Sequence, residues 1–451
     1  MNRLHRRVWT RNTHGPILRQ LHGQTFNKRR KMDHFIYKDG ELCAEGVALS
    51  KIAREVGTPF YVYSQATLER HYQVFADAVK EIDATICFAV KANSNISVLR
   101  VLADQGAGAD VVSVGELKRA IKAGVPAQKV VFSGVGKSRS DLAYAVKAGI
   151  RQINVESEEE LVVLNEVAQE LGARMPIVLR VNPDVDAKTH EKISTGKSDN
   201  KFGIDWKRAV EVYQRASNMA GIDAKGLACH IGSQLTDLEP FRAAFRRMKE
   251  MVLELRGLGL DVSRVDLGGG LGIPYDEGAT PLPVEYGKLV VEELGDLDVE
   301  FEFEPGRMIA GNAGLLVSEV LYVKQGPEKT FAVIDAAMND LMRPSLYGAY
   351  HAIVPVIQPE ADSEQMTYDV VGPICETGDT FAKGRVLPKL EPHDLVAFRT
   401  AGAYGASMSN TYNSRDLVPE VMVKGNDYAV IRKRVDIEAL MELENLADWQ
   451  D

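Results

Sequence analysis

Residues 109–134 read ADVVSVGELKRAIKAGVPAQKVVFSG. A short run of apolar and β-branched residues is followed by a helical pattern that ends at Gly124, and then by a second apolar run. This order is typical of a β/α unit, in which a helix returns the chain from one buried strand to the next parallel strand. The stretch therefore predicts a parallel sheet with helices on its outside.

The same alternation extends on both sides of this stretch. Eight runs have the length and composition of buried strands: TICFAVKA (85–92), ADVVS (109–113), KVVFSG (129–134), QINVES (152–157), PIVLRVNP (176–183), GLACHIGS (226–233), VSRVDLGG (262–269) and VEFEFEPG (299–306). Helical patterns such as SEEELVVLNEVAQELG lie between them. Eight such units predict a TIM-like (β/α)8 barrel, and a doubly wound open sheet is the alternative.

The pattern changes after about residue 311. LLVSEVLYVKQ, KTFAVIDAAM, TYDVVGPIC and DLVAFRTAGAY read as strands separated by Pro, Gly and Asp turns, which predicts a mostly β domain. The extended stretch VGTPFYVYS (56–64) is expected to add a strand to it. The predicted division is a basic extension (1–31), a segment that contributes to the β domain (32–60), the barrel (61–310), the β domain (311–430) and a helical tail (431–451).

Composition excludes several classes of protein. The 451 residues carry a net charge of −9, which gives no indication of nucleic-acid binding. Four separated cysteines favour a reducing compartment such as the cytoplasm over a disulfide framework, and we expect no metal site. No apolar run is long enough for a membrane span. Residues 1–31 are rich in Lys and Arg and contain no acid; we expect a disordered extension or a start at Met32, with organellar targeting as the alternative.

Polar side chains stand at the ends of the predicted strands, and these ends meet at one face of a barrel, where active sites lie. Lys91 is the most unusual, because lysine is rarely buried without a partner. After the last two strands, Gly268, Gly269 and Gly270 and the turn EPGR (304–307) form a candidate phosphate cradle. A lysine, a histidine, an acid and a cradle predict either a pyridoxal phosphate (PLP) enzyme or a sugar-phosphate barrel without PLP.

Six motifs in order resemble one family: FAVKANSN (88–95), HIGSQ (230–234), DLGGGLG (266–272), EPGR (304–307), GPICETGD (372–379) and GAYGASMSNTYN (402–413). They resemble the alanine-racemase-like PLP-dependent decarboxylases and, among these, the diaminopimelate decarboxylases, from about Phe35 to Val423. The resemblance implies a PLP-binding barrel followed by a β-barrel or sandwich domain. It also implies a homodimer with active sites at the interface, and decarboxylation of meso-2,6-diaminopimelate to L-lysine, the last step of lysine biosynthesis.

The resemblance also implies roles for residues of the barrel. Lys91 would be the Schiff-base lysine, His230 would stack on the PLP ring and Glu304 would pair with the pyridine nitrogen. The residues expected around the phosphate or the substrate carboxylate are Ser233, Gly268, Gly269, Gly270, Pro305, Gly306 and Arg307, with Asp110 and Arg180 in support.

The β domain is expected to supply the substrate contacts Arg343 and Tyr347, and Tyr404 beside the cofactor and substrate. By resemblance, Cys375 protonates Cα and Glu376 holds the distal amine, both across the dimer. From the residues alone, Cys375 would be interpreted as a small buried apolar side chain, the usual place of a free cysteine.

Several alternatives remain open at this stage. A decarboxylase of ornithine, arginine or carboxynorspermidine would share the motifs, and a racemase or a PLP-binding regulatory protein could share the barrel. The polar segment THEKISTGKSDNKFG (189–203) is expected to be either a mobile lid or an ordinary solvated loop.

Overall fold

The computed structural model describes residues 33–186, 201–276 and 278–450. The predicted extension over residues 1–31, and residues 189–200 of the predicted loop, lie outside these ranges. The described chain opens with an antiparallel sheet of β1 (Phe35–Lys38), β2 (Glu41–Ala44) and β3 (Val47–Ala48). Helix α1 (Leu49–Val56) and strand β4 (Phe60–Ser64) follow.

The central element is a closed barrel of eight parallel strands. These are β5 (Ala84–Ala89), β6 (Gly108–Val111), β7 (Val130–Phe132), β8 (Gln152–Val155), β9 (Met175–Asn182), β11 (Ile222–Ala228), β12 (Arg264–Asp266) and β13 (Glu300–Phe303). Closure comes from parallel pairing of β13 with β5, at Phe301 and Ala84. The predicted barrel is therefore confirmed, and the open-sheet alternative is wrong. A short strand β10 (Ile204–Asp205) pairs with β9 beside the ring.

Helices surround the barrel and cover its strands. They are α2 (Gln65–Ala78), α3 (Ile96–Asp104), α4 (Val114–Lys122), α5 (Arg139–Ala148), α6 (Glu158–Glu170), α7 (Ala209–Ser217), α8 (Glu239–Gly257) and α9 (Pro283–Leu294). Four of these helices begin at a side chain that accepts a backbone N–H of the first turn, namely Ser64, Asn95, Ser113 and Ser157. Each such cap satisfies an N–H group that has no partner within the helix. An aromatic contact between Phe75 and Phe303, with centroids 5.7 Å apart, joins α2 to the eighth barrel strand.

The remainder of the chain is mostly sheet. After the short helix α10 (Arg307–Ala310) come β14 (Gly314–Gln325), β15 (Thr330–Ile334), the helix α11 (Arg343–Tyr347), β16 (Ile353–Pro355), β17 (Gln365–Val371), β18 (Thr380–Pro388), β19 (Leu395–Phe398), β20 (Glu420–Lys424) and β21 (Asp427–Arg432). Strand β4 from the segment before the barrel lies between β14 and β20 in this sheet. The β region therefore includes a strand from before the barrel, and buried side chains of the barrel and the β region form one hydrophobic core.

Several elements are shorter than the sequence-based expectation, among them the sixth barrel strand and the helix of the tail. The sixth barrel strand ends at Ala228, so that Cys229 to Ser233 lie in the following turn. In the tail, only α12 (Ile437–Met441) is helical. Its apolar neighbours Leu443 and Leu446 are exposed, and a short helix that buries no face has little to stabilise it in water. No helix in the described ranges has the length and apolarity that crossing a membrane requires.

Candidate active site

A cavity of about 380 Å³ lies at the carboxyl ends of the barrel strands, where residues of the β domain face them. Most of the predicted site residues line it: Lys91, His230, Ser233, Gly268, Gly269, Gly270, Glu304, Pro305, Gly306, Arg307, Arg343, Tyr347 and Tyr404. They come from separate strand ends and loops of both regions. The described chain has no cluster of three His, Cys, Asp or Glu side chains placed to hold a metal ion.

Lys91 stands in a single helical turn directly after β5, and its side chain faces the cavity. Its Nζ donates to Asp110 Oδ2 at 2.6 Å. Burial by itself would lower the pKa of Lys91, but the carboxylates of Asp110 and Glu304 outweigh burial and raise it. Asp110 is fully buried, and its second oxygen has no partner within the described residues. The lysine is therefore fixed in direction and poised beside buried negative charge.

Glu304 follows β13 and is held by amide and hydroxyl groups inside the barrel. Asn154 Nδ2 donates to Glu304 Oε1 at 3.2 Å and to Asp266 Oδ2 at 2.8 Å, and Ser133 Oγ donates to Glu304 Oε1 at 3.2 Å. Burial raises the pKa of Glu304 well above its ordinary value, and Asp110 and Asp266 raise it further. A cation placed against this carboxyl, such as a pyridinium ring nitrogen, would lower its pKa and favour the ionised carboxylate.

His230 is neutral and fixed as one tautomer. The backbone N–H of Gly269 donates to its Nδ1 at 3.2 Å, so this nitrogen carries no proton. Burial lowers the pKa of His230 well below its ordinary value, and the positive charges of Arg180 and Lys91 lower it further. A neutral imidazole ring at the cavity wall is suited to lie flat against an aromatic ligand.

The glycine run admits no side chain. A Cβ on Gly269 would stand 2.3 Å from the carbonyl oxygen of Glu304, and Gly270 has a φ of +108°, which L residues rarely adopt. The backbone here is free to approach a phosphate. Arg307 lies beside it, and its buried Nε has no partner in the described chain. An amine, an ionisable acid, a flat neutral ring and an anion cradle beside a guanidinium with one unsatisfied nitrogen together fit PLP.

Two buried arginines form the other side of the cavity. Arg307 Nη1 donates to the hydroxyl of Tyr275 at 2.6 Å and Nη2 donates to Ser233 Oγ at 3.1 Å. Arg343 lies over the Tyr275 ring, with its Cζ 4.3 Å from the ring centroid. Neither guanidinium pairs with a carboxylate of the described residues. Buried cations without a carboxylate partner are suited to bind an anionic ligand.

Arg180 lies behind the cavity wall. Its Nη1 donates to Glu156 Oε1 at 2.7 Å, and its guanidinium stacks on Phe202 at 4.9 Å. Glu156 Oε2 also accepts the backbone N–H of Gly203. Arg180 pairs with Glu156 and Asp110 with Lys91, and neither Arg180 nor Asp110 lines the cavity.

Cys375 and Glu376 lie elsewhere. Both are exposed and neither lines the cavity. The Cys375 backbone N–H donates to Asn413 Oδ1 at 3.0 Å, and Asp379 accepts the backbone N–H of Ile374 at 2.7 Å, so their loop is tied down. The interpretation of Cys375 as a buried apolar residue is wrong. Within one chain, the cavity contains neither of these two side chains.

Sequence reasoning missed four residues that shape the site, namely Ser133, Asn154, Tyr275 and His351. A polar residue inside a buried strand was a usable signal for Asn154, because its side chain must find a partner within the barrel. Tyr275 and His351 carry no such signal, since a tyrosine after a glycine run and a histidine in a loop are both ordinary.

Comparisons with known proteins identify the family of this chain. Residues 65–311 match the family model for the pyridoxal binding domain of pyridoxal-dependent decarboxylases. The fold and the site thus define a PLP-dependent decarboxylase of the barrel type.

Relatives narrow the assignment further. The chain is 50% identical over 417 residues to diaminopimelate decarboxylase of Vibrio cholerae, with 92% of this chain and 99% of the relative covered. Identity to the Pseudomonas aeruginosa enzyme of the same name is 51% over 415 residues, with coverage of 92% and 99%. The chain belongs to the diaminopimelate decarboxylase family.

Solved structures give the same result. Diaminopimelate decarboxylase from M. jannaschii, in complex with L-lysine, superposes with a TM-score of 0.88 at 36% identity over 92% of this chain and 98% of that one. The Helicobacter pylori enzyme, also complexed with L-lysine, gives a TM-score of 0.84 at 42% identity over 88% and 98%.

Proposed function

We propose that this chain decarboxylates meso-2,6-diaminopimelate to L-lysine and CO2 with PLP, the last step of lysine biosynthesis. One observation carries the proposal. A single cavity holds a lysine paired with a buried carboxylate, and also two buried arginines that have no carboxylate partner in the described chain. The first part suits PLP, and the second suits a substrate that ends in its own carboxylate. Curated relatives of this name, and solved relatives that hold L-lysine, support it.

The cofactor site would use groups already described. Lys91 would hold PLP through its amine, Glu304 would face the pyridine nitrogen and His230 would lie on the ring. The residues proposed around the phosphate are Ser233, Gly268, Gly269, Gly270, Pro305, Gly306 and Arg307, and Tyr404 would lie near the cofactor and substrate. When bound, PLP accepts the electron pair that the breaking bond to the carboxylate leaves on Cα.

Specificity would come from the distal end of the substrate. Arg307 and Arg343 present two guanidiniums at the cavity, and Tyr347 lines it beside them. A substrate without a distal carboxylate, such as ornithine or arginine, would leave a buried guanidinium unpaired. The free-energy cost of that unpaired guanidinium would make kcat/KM lower for ornithine or arginine than for diaminopimelate.

The site would be completed by a second copy of the chain. Cys375 would deliver a proton to Cα after CO2 leaves, with Lys91 as the alternative donor, and Glu376 would hold the distal amine. Both side chains are exposed and lie outside the cavity of their own chain, which supports their use across a two-fold interface. We therefore propose a homodimer with its active sites at the interface.

The cellular setting and the domain limits are part of the same proposal. All four cysteines are free, which supports a reducing compartment such as the cytoplasm. Targeting by residues 1–31 remains the alternative. The proposed barrel limits at residues 60 and 310 are supported by the family match over residues 65–311, and the division at residue 430 belongs to the same proposal.

CO2 release by the PLP-loaded protein tests the activity. Meso-diaminopimelate, ornithine, arginine and L-lysine are offered in parallel, with Lys91→Ala as the control variant. We expect release from diaminopimelate alone and none from the variant. Release from another amino acid would move the substrate assignment, and release from none would refute decarboxylation.

Subunit mixing tests the shared site. Lys91→Ala and Cys375→Ala are each expected to have very low activity. Random exchange of subunits makes half of the dimers mixed, and each mixed dimer has one intact site, so activity should recover to about a quarter of wild type. No recovery in a mixture verified to contain mixed dimers would place Cys375 and Lys91 in the same chain's site or remove Cys375 from it.

A further inference from the structure

The substrate-facing guanidinium of Arg343 is held by groups that carry no negative charge. One is the ring of Tyr275, described above. The other is His351, whose Nε2 lies 2.7 Å from Arg343 Nη1. Because a guanidinium has only donors, Nε2 must be the acceptor and cannot carry a proton. Arg343 and His351 are both buried, at 6% and 2% exposure.

The other side of the imidazole is anchored to the β domain. With Nε2 unprotonated, the ring proton is on Nδ1, which donates to the carbonyl oxygen of Arg399 at 2.9 Å. The backbone N–H of Arg399 donates to the carbonyl oxygen of Ala352 at 2.8 Å, and Arg399 Nη2 pairs with Asp33 Oδ2 at 3.0 Å. The carbonyl of His351 itself accepts from Arg385 Nη1 at 3.0 Å. The imidazole is thus clamped at both nitrogens in a single orientation.

A neutral acceptor here has a physical advantage over a carboxylate. Burial and the positive charge of Arg343 together lower the pKa of His351 to about 3, so the ring is uncharged at neutral pH. A carboxylate in this place would orient Arg343 equally well, but it would neutralise the guanidinium and compete with an anionic ligand. The imidazole orients the guanidinium and leaves its positive charge available.

We propose that His351 is the positioning residue that aims Arg343 at the distal carboxylate of the substrate, with Tyr275 as the wall behind the guanidinium. This inference rests on the proposed function. It makes His351 a determinant of specificity for substrates that carry a distal carboxylate, although His351 lies behind Arg343 and does not line the cavity.

Two amide substitutions separate the two hydrogen bonds of the ring. The side-chain nitrogen of Asn stands near the position of Nδ1, so His351→Asn keeps a donor towards Arg399 and loses the acceptor for Arg343. The longer Gln reaches the position of Nε2, so His351→Gln keeps an acceptor for Arg343. Both variants are neutral and polar, and each is the matched control of the other.

The experiment measures the binding of two ligands to the PLP-loaded protein by competition and by equilibrium dialysis. L-lysine carries a carboxylate and 1,5-diaminopentane has the same chain and amines without it. For His351→Asn we expect Kd for L-lysine to rise about tenfold, about 1.4 kcal/mol, while Kd for the diamine stays within about twofold of wild type. For His351→Gln both constants should stay within about threefold of wild type. In the reaction, KM for diaminopimelate should rise in His351→Asn more than kcat falls.

The outcomes separate this inference from the proposed function. Equal weakening of both ligands in His351→Asn would indicate a general loss of structure and overturn the positioning role. Unchanged L-lysine binding in His351→Asn, or greater weakening in His351→Gln than in His351→Asn, would also overturn it. Failure of the wild-type protein to decarboxylate diaminopimelate would instead refute the proposed function, whatever the two variants do.

Discussion

Replacing Asp110 by Asn removes the carboxylate that accepts from Lys91 and keeps the shape of the side chain. In the protein without PLP, we expect the pKa of the Lys91 amine to fall. Burial lowers that pKa, and Asp110, 2.6 Å from Nζ, is the first of the charges that raise it. Without Asp110, burial has less opposition, although Glu304 still contributes.

The size of the change follows from the geometry. Two unit charges 2.6 Å apart attract by about 6 kcal/mol at an effective dielectric constant of about 20. The Lys91 side chain is 38% exposed, so solvent screens much of this attraction. A remaining contribution of about 1.5–3 kcal/mol corresponds to a fall of about one to two pKa units.

The assay is capture of PLP by the PLP-free protein, followed by absorbance as a function of pH. Only the neutral amine attacks an aldehyde, so a lower pKa moves the rising limb of the rate profile to lower pH. Asp110→Asn should therefore move the midpoint down by about one to two units. Asp104→Asn, which removes an exposed carboxylate paired with Arg100, is the control and should leave it in place. An unmoved or raised midpoint in Asp110→Asn would refute the view that Asp110 sets the charge of Lys91.

Two further predictions concern the cradle and the pH dependence of stability. Gly269→Ala should lose PLP on desalting, because its Cβ would stand 2.3 Å from the Glu304 carbonyl oxygen. The control Gly257→Ala, with no atom within 4 Å of its Cβ, should retain PLP. Equal retention of PLP by the two variants would contradict the need for a glycine at position 269. Burial raises the pKa of Asp340 to about 7, so the folded state binds this proton more tightly than the unfolded chain does. The protonated carboxyl therefore contributes stability that is fully present below about pH 4 and is lost as the pH rises through about 7. Asp340→Asn should therefore gain stability relative to wild type between about pH 5 and about pH 8 in urea unfolding, and a constant difference would argue against this titration.

Much of the architecture could be read from local pattern. The alternation of apolar runs and helical periods predicted a strand that overlaps each of the eight barrel strands, because strand and helix periods are local properties of the chain. Lys91, Glu304 and the glycine run were predicted as chemical groups for a similar reason. Each stands at the end of a strand, and barrel strands bring their carboxyl ends to one face.

The loop of Cys375 and the tail were harder to predict. A free cysteine is usually buried, yet Cys375 is exposed, in a loop whose backbone N–H groups donate to Asn413 and Asp379. The tail has helical periodicity, but most of its apolar residues remain exposed, and periodicity without a surface to pack on gives only a short helix.

By itself, the sequence determined the β/α barrel, the change to a β region after it, and the residue types proposed to hold PLP, since these depend on periods and motifs within short stretches. Only the tertiary structure decided that Arg343 of the β domain faces Arg307 of the barrel across one cavity, with the ring of Tyr275 beside both guanidiniums and His351 behind Arg343. Those contacts join residues far apart in the chain. Their geometry depends on closure of the barrel and on how the sheet packs against it, and no local pattern encodes either.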